Sequence, residues 1–149
     1  MRADPEEALL GASLAFAGAT VLGSVVAIRD QLPGEPLGVS IPLSVTAGLL
    51  AGWGAAVAAP WPMPVAAVTA AAMAKRRRPS VRPGAVCAAI GLGCMVGTCI
   101  EPVTRRPRSW SVATRLAIGA NLSASAALVA AGAWHGATAR RPYPERALG

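Results

Sequence analysis

The sequence predicts an all-α fold, a small polytopic transmembrane helical bundle with five helical segments, four or five of which cross the membrane. Composition is the first observation behind this prediction, because 54% of the residues are hydrophobic and only 14% are charged, against about 45–50% and about 25% in a typical soluble domain. The second observation is that charge is almost wholly confined to the termini and to short segments between long uncharged stretches. We therefore expect residues 1–149 to form a single integral membrane domain in contact with the lipid bilayer.

The first predicted helix covers residues 5–28. Residues 8–28 carry no charge, and about 20 helical residues are enough to cross the hydrocarbon core of a bilayer. Asp4 is a suitable N-cap, Pro5 suits the first helical position, and Glu6 and Glu7 favour the positive end of the helix dipole. These residues predict a helix start rather than a secretory signal, which would begin with positive charge.

The second uncharged stretch, residues 37–74, is nearly twice as long as one crossing needs. Prolines at positions 60, 62 and 64 interrupt it, because successive prolines remove backbone donors that a regular helix requires. The pattern predicts helices over 41–59 and 64–77, the latter rising only about 16–22 Å. This short helix crosses if the bilayer thins, and otherwise it is re-entrant or lies along the interface. We favour five crossings, with the N-terminus outside, because this stretch fits two crossings better than one.

The last two predicted helices cover residues 84–100 and 111–134. The first is uncharged and close to the shortest length that spans a bilayer. The second is bracketed by Trp110 and Trp134, and tryptophan prefers the membrane interface. The basic segment that follows, residues 136–149, is expected to be a flexible tail.

The net charge of +7 comes mainly from basic residues in the loops and the C-terminal segment, and it does not indicate nucleic-acid binding. Basic residues cluster at 75–82, 105–108 and 140–146, each between or after long uncharged runs. Such residues accumulate on the cytoplasmic side of membrane proteins. We therefore expect a multi-pass protein of the plasma membrane with loop 75–83 and the C-terminus in the cytoplasm, and no nucleic-acid partner. The preference for Arg over Lys and the abundance of Ala indicate a GC-rich bacterial genome.

Five polar residues form the candidate site: Glu101, Arg105, Arg106, Arg115 and Asn121. Asn121 lies well within a predicted helix, and a buried amide needs a hydrogen-bond partner, expected among the hydroxyls of the first or second helix. Glu101 ends the helix over 84–100, where an arginine is expected to pair with it. One interpretation is structural, an interhelical hydrogen bond and a surface ion pair. The other is a charged site for a substrate or ion at the membrane boundary.

Small residues recur at helix-packing spacing, as Gly48 with Gly52 and Gly93 with Gly97. In lipid, close approach of two backbones supplies the van der Waals contact that holds helices together. These pairs predict packing within the bundle, or an interface with a second copy or a partner membrane protein.

The sequence does not predict catalysis, a cofactor or a metal site. Cys87, Cys94 and Cys99 form no CxxC pair, and His135, the sole histidine, is expected at the membrane boundary. The function expected first is that of a non-enzymatic structural or accessory subunit, packing against partner helices. The alternative is a small transporter or channel acting as an oligomer, and a membrane-embedded enzyme resting on the three cysteines comes third.

Overall fold

The computed structural model describes residues 4–76, 80–106 and 110–140, and within them the chain is all-helical. This confirms the predicted fold class. The α-helices are α1 (Pro5–Arg29), α2 (Val45–Ala51), α3 (Pro62–Arg76), α4 (Arg82–Ile100) and α5 (Val112–Ala139), with a 3-10 turn over Pro36–Gly38. Among the described residues, α1, α4 and α5 are long and apolar enough to cross a membrane.

Side-chain N-caps mark the start of the two longest helices, α1 and α5. At the start of α1, the Asp4 carboxylate accepts a hydrogen bond from the Glu6 backbone N–H at 2.9 Å, and Pro5 occupies the first turn. At the start of α5, the Ser111 hydroxyl accepts from the Thr114 backbone N–H at 3.0 Å. Both caps satisfy backbone donors that have no partner inside the helix.

The four longer helices pack in antiparallel pairs, α1 against α3 and α5, and α4 against α3 and α5. Lys75 Nζ near the end of α3 lies 3.8 Å from Glu7 Oε1 near the start of α1. Pro5 and Glu6 border the same small cavity as His135 and the end of α5. The starts of α1 and α4 and the ends of α3 and α5 therefore share one end of the bundle, which we name the tail end. The opposite end, the cap end, carries α2.

The largest difference from the predicted helices is in the range 41–59. The structure has helix only over Val45–Ala51, which is seven residues long and rises about 10 Å, so α2 cannot cross a membrane. Gly52 ends it in the left-handed conformation at φ +94, and Gly54 follows at φ +83. The favoured arrangement with five crossings is wrong for this fold, because α2 cannot supply one of them, whereas the side of the membrane on which the N-terminus lies stays a prediction.

The other helices lie close to their predicted ranges of 5–28, 64–77, 84–100 and 111–134. The last one is longer than predicted and continues to Ala139, so it takes in the first residues of the predicted tail 136–149. Residues 141–149 of that tail and residues 77–79 of loop 75–83 lie outside the described part of the chain.

Residues 52–61, which we name the inserted segment, connect α2 to α3 without forming a helix. Its residues 54–60 are buried among the helices. The segment turns back on itself through hydrogen bonds between Ala55 and Ala58, whose N–H groups donate to each other's carbonyls at 3.0 and 3.1 Å. Gly23 of α1 lies against the Val57 carbonyl, where any Cβ would collide with it. A non-helical backbone at this depth is tolerated only when protein surrounds it or water reaches it.

Candidate functional site

A cavity of about 230 Å³ lies at the cap end between the inserted segment and α4. The inserted segment forms one wall, mostly with alanine and Pro60. One face of α4 forms the opposite wall, with Met63 of α3 and Asn121 of α5 completing the lining. Its remaining lining residues are Gly52, Trp53, Gly93, Cys94, Gly97, Thr98 and Glu101. The cavity is therefore apolar over most of its surface, with a few polar groups at one side, as is usual for small-molecule sites.

Asn121 is the most deeply buried polar residue of this lining, with an exposed fraction of 2%. It lies in the third turn of α5, about 14 Å along the axis from Val112. Its Nδ2 donates a hydrogen bond to Thr98 Oγ1 at 2.7 Å, while its Oδ1 has no hydrogen-bond partner. The predicted interhelical hydrogen bond exists, but its acceptor is on α4 rather than on the first or second helix.

Glu101 follows α4 directly and is also buried, with an exposed fraction of 7%. Its Oε2 accepts a hydrogen bond from the Glu35 backbone N–H at 3.0 Å. Burial raises the pKa of the Glu101 carboxyl above its usual range, the hydrogen bond from Glu35 opposes that rise, and the charge of Glu35 adds to it. The carboxylate therefore lies where a positively charged partner would stabilise its ionised form.

The three arginines of the candidate site do not line the cavity with Glu101 and Asn121. Arg105 and Arg106 belong to the turn after Glu101, where their backbone N–H groups donate to the Pro102 and Val103 carbonyls. Their side chains and that of Arg115 are exposed. The structure thus joins two of the five predicted residues and leaves the basic ones on the surface.

The predicted glycine pairs have roles other than helix packing inside this chain. A Cβ at Gly93 or Gly97 would meet nothing within 4 Å, and both glycines line the cavity. Gly48 packs against the inserted segment, where a Cβ would lie 2.8 Å from the Gly54 carbonyl oxygen, and Gly52 ends α2. The pattern of two glycines four residues apart does not say which way that face of the helix points, and here it points to the cavity for Gly93 and Gly97 and to the inserted segment for Gly48.

Other glycines, which sequence reasoning missed, hold α4 and α5 together. A Cβ at Gly91 would lie 2.6 Å from the Ser125 carbonyl oxygen, and one at Gly132 would lie 2.8 Å from the Ala88 nitrogen. Gly84, seven residues before Gly91, makes the same kind of contact with Gly132. That spacing of seven puts Gly84 and Gly91 on one helix face. It is the sequence feature from which this helix contact could have been predicted.

The cysteines and His135 are dispersed rather than gathered into a site. Cys94 Sγ lies 3.3 Å from Met63 Sδ, Cys87 Sγ donates to the Ala67 carbonyl at 3.6 Å, and Cys99 is exposed. His135 is buried at the tail end, and its position at the membrane boundary stays a prediction. Among the residues described, no group of three or more His, Cys, Asp or Glu is placed to hold a metal ion.

No model of a known protein family matches the chain, and neither a curated protein nor a solved structure matches it. The residues of the cavity are therefore the basis for assigning a function.

Proposed function

We propose that the protein is a small transporter or channel in which a polar solute occupies the cavity at the cap end. The observation that carries this proposal is at Asn121, a lining residue of the cavity whose Oδ1 atom is buried and has no hydrogen-bond partner. An unsatisfied amide oxygen in a membrane protein is costly. A solute or water that enters the cavity and donates a hydrogen bond would remove that cost.

The inserted segment supports the same proposal. Transporters commonly build their solute sites from broken helices, because unwound backbone offers polar groups that a regular helix uses internally. Here the short helix α2 ends at Gly52, and the non-helical residues after it form a wall of the cavity. Glu101 adds an ionisable group at the same place, and buried ionisable groups in membrane proteins are often part of a solute or ion pathway.

A non-enzymatic structural or accessory subunit is the second candidate, and a groove between α1 and α5 favours it. The groove is lined mainly by small residues, among them Ala15, Gly18, Ala120, Ser123 and Ala127. A Cβ at Gly18 would meet nothing within 4 Å, so the backbone of a second copy or of a partner helix can approach closely. Under this proposal, Gly18→Leu would lower the oligomeric mass measured by light scattering in detergent.

We further infer that the tail end faces the cytoplasm of a bacterial plasma membrane. Lys75, Arg82 and Arg140 all belong to this end, and Lys and Arg accumulate on the cytoplasmic side. The start of α1 shares that end, so the proposal places the N-terminus in the cytoplasm together with loop 75–83 and the C-terminus. A membrane-impermeant lysine reagent applied to intact cells would then leave Lys75 unlabelled.

Reconstitution in sealed liposomes tests the transport proposal. The full chain is compared with protein-free liposomes for uptake of one neutral, one anionic and one cationic radiolabelled solute, namely urea, acetate and methylammonium. We expect accelerated uptake of at least one of them. Gly97→Leu should abolish that uptake, because the side chain fills the cavity from a position where a Cβ meets nothing within 4 Å.

Gly119→Leu is the matched control, since Gly119 is equally open but lies on α5 outside the cavity lining. It should transport like the unmodified chain. Uptake equal to that of protein-free liposomes for all three solutes, or equal uptake by the Gly97→Leu and unmodified chains, would contradict the proposal.

A further inference from the structure

In this cavity the side-chain hydrogen-bond donors are largely engaged within the protein, whereas the acceptors are largely not. This difference indicates the chemistry of the ligand. Two strong side-chain donors of the lining are already engaged, because Asn121 Nδ2 donates to Thr98 Oγ1 at 2.7 Å and Trp53 Nε1 donates to the Gly34 carbonyl at 2.8 Å. The Cys94 thiol is engaged with Met63. The remaining side-chain donors of the described lining are the Thr98 hydroxyl proton and the second N–H of Asn121 Nδ2.

The acceptors of the cavity remain available. Asn121 Oδ1 has no partner, although an amide oxygen can accept two hydrogen bonds. The Glu101 carboxylate offers about four lone-pair positions, and the Glu35 N–H occupies one of them. A ligand that completes this site must therefore mainly donate hydrogen bonds.

The charge of the lining points the same way. Among the described residues that border the cavity, Glu101 is the ionisable acid and none is Lys, Arg or His. When Glu101 is ionised, the cavity carries a negative charge with no basic residue in its wall. An anion would be repelled, and a cation would supply the missing counter-charge.

The size and the walls of the cavity narrow the kind of cation. Hard metal ions such as Ca²⁺ take six or more oxygen ligands, whereas among the described lining residues Thr98, Glu101 and Asn121 alone carry side-chain oxygens, so most of the ligands would have to be backbone carbonyls. The rest of the lining is Gly, Ala, Pro, Met, Cys and Trp53, which suits a ligand with short apolar carbon groups, and indole attracts cations. The volume of about 230 Å³ admits only a small molecule.

We infer that the cavity binds a small cation with its own N–H donors, an ammonium or short primary alkylammonium ion, with Glu101 as counter-charge and Asn121 Oδ1 as acceptor. This ligand class deepens the proposed function, because it names the solute of the same cavity. Binding needs both groups, one for charge and one for direction, so loss of either weakens it.

Calorimetric titration of the purified full chain in nanodiscs tests the ligand class. Methylammonium chloride is compared with tetramethylammonium chloride, sodium chloride and sodium acetate. We expect methylammonium to bind about tenfold or more tightly than tetramethylammonium, because tetramethylammonium has the same charge but no N–H donor, and charge-assisted hydrogen bonds are the strong ones. Sodium and acetate should give no saturable heat.

Substitutions in the cavity test which side chains bind the ligand. Glu101→Gln and Asn121→Ala should each weaken methylammonium binding about tenfold or more. Glu7→Gln, which neutralises an exposed carboxylate at the tail end, should bind like the unmodified chain. Helicity by circular dichroism establishes that each variant is folded, and the comparison among ligands on the unmodified chain does not depend on the variants.

Each alternative outcome has a definite meaning. Equal binding of tetramethylammonium and methylammonium, saturable binding of acetate or sodium, or unchanged binding in Glu101→Gln would overturn the ligand class. Methylammonium binding without uptake in liposomes would keep the ligand class and overturn transport. Uptake of urea or acetate without methylammonium binding would do the reverse.

Discussion

Two faces of α4 use the same residue type for opposite purposes. On one face, Gly84 and Gly91 let α4 touch the backbone of α5. On the opposite face, Gly93 and Gly97 meet nothing within 4 Å and border the cavity. A glycine-rich helix is therefore no uniform sign of tight packing. One face of α4 closes the bundle, and the other face leaves room for a solute.

The difference between the two faces follows from what covers each glycine. The first pair faces α5, a regular helix whose carbonyls approach to contact distance and supply the van der Waals energy of helix pairing. The second pair lines the cavity, whose opposite wall is the inserted segment. That segment packs on α1 and α5 through the cluster of Val26, Ala27, Ala55–Ala58 and Ala117, and the cavity lies between it and α4.

The largest expected effect comes from adding one methyl group to each of these two faces of α4. Gly91→Ala puts a Cβ 2.6 Å from the Ser125 carbonyl oxygen, so the helices must separate, at a cost of about 1–3 kcal/mol or more in the free energy of unfolding. Gly93→Ala meets open space and gains the helix propensity of alanine, about 0.5–1 kcal/mol. Thermal unfolding in one detergent measures both, and equal effects of the two substitutions would break the comparison.

The pH dependence of stability is an intermediate effect and belongs to the cap end. Burial raises the pKa of the Glu101 carboxyl in the folded chain, so the folded state holds a proton that the unfolded state has lost. Stability should therefore fall as the pH rises from about 4.3, the usual glutamate pKa, through the raised folded value. Glu35, whose charge raises the pKa of this carboxyl further, enlarges the total fall.

Glu101→Gln should flatten that part of the curve of melting temperature against pH, because glutamine does not titrate. Glu7→Gln, at the exposed tail end, is the control and should leave the curve unchanged. A curve for Glu101→Gln that falls like that of the unmodified chain would show that Glu101 is not the group responsible.

The smallest expected effect is at the tail end. Lys75 and Glu7 are 39% and 69% exposed in their side chains and 3.8 Å apart, so solvent screens their attraction and the pair contributes at most about 1 kcal/mol. Lys75→Ala should lower the melting temperature slightly at low salt and not at all at high salt. A large loss at both salt concentrations would mean that the tail end depends on this contact as strongly as on its glycines.

The fold class and four of the helices were predictable from the sequence because uncharged length alone defines them. The predicted helix over 41–59 was wrong over most of its length, because an apolar stretch of Gly and Ala has the same composition whether it forms a helix or a buried irregular segment. Only the positive φ angles of Gly52 and Gly54 separate the two possibilities, and those depend on the surroundings.

The sequence allowed two residues of the candidate site to be predicted, but not how they are arranged. Glu101 and Asn121 stand out because polar groups are rare in apolar helices, and both line the cavity. Thr98, the hydrogen-bond partner of Asn121, was missed because a threonine in a helix commonly satisfies itself on its own backbone. The arginines were included in the predicted site because of their charge alone, and a charged residue near a helix end is equally common on the protein surface.

The inserted segment also constrains how the chain is made. Its amides and carbonyls have no place in lipid, and its cover includes α5, which is synthesised after it. During biosynthesis the segment therefore lacks part of its protein cover until α5 has been made. A nascent chain that ends after α3 also lacks the α4 and Asn121 walls of the cavity, so neither the segment nor the cavity is complete before the last helix.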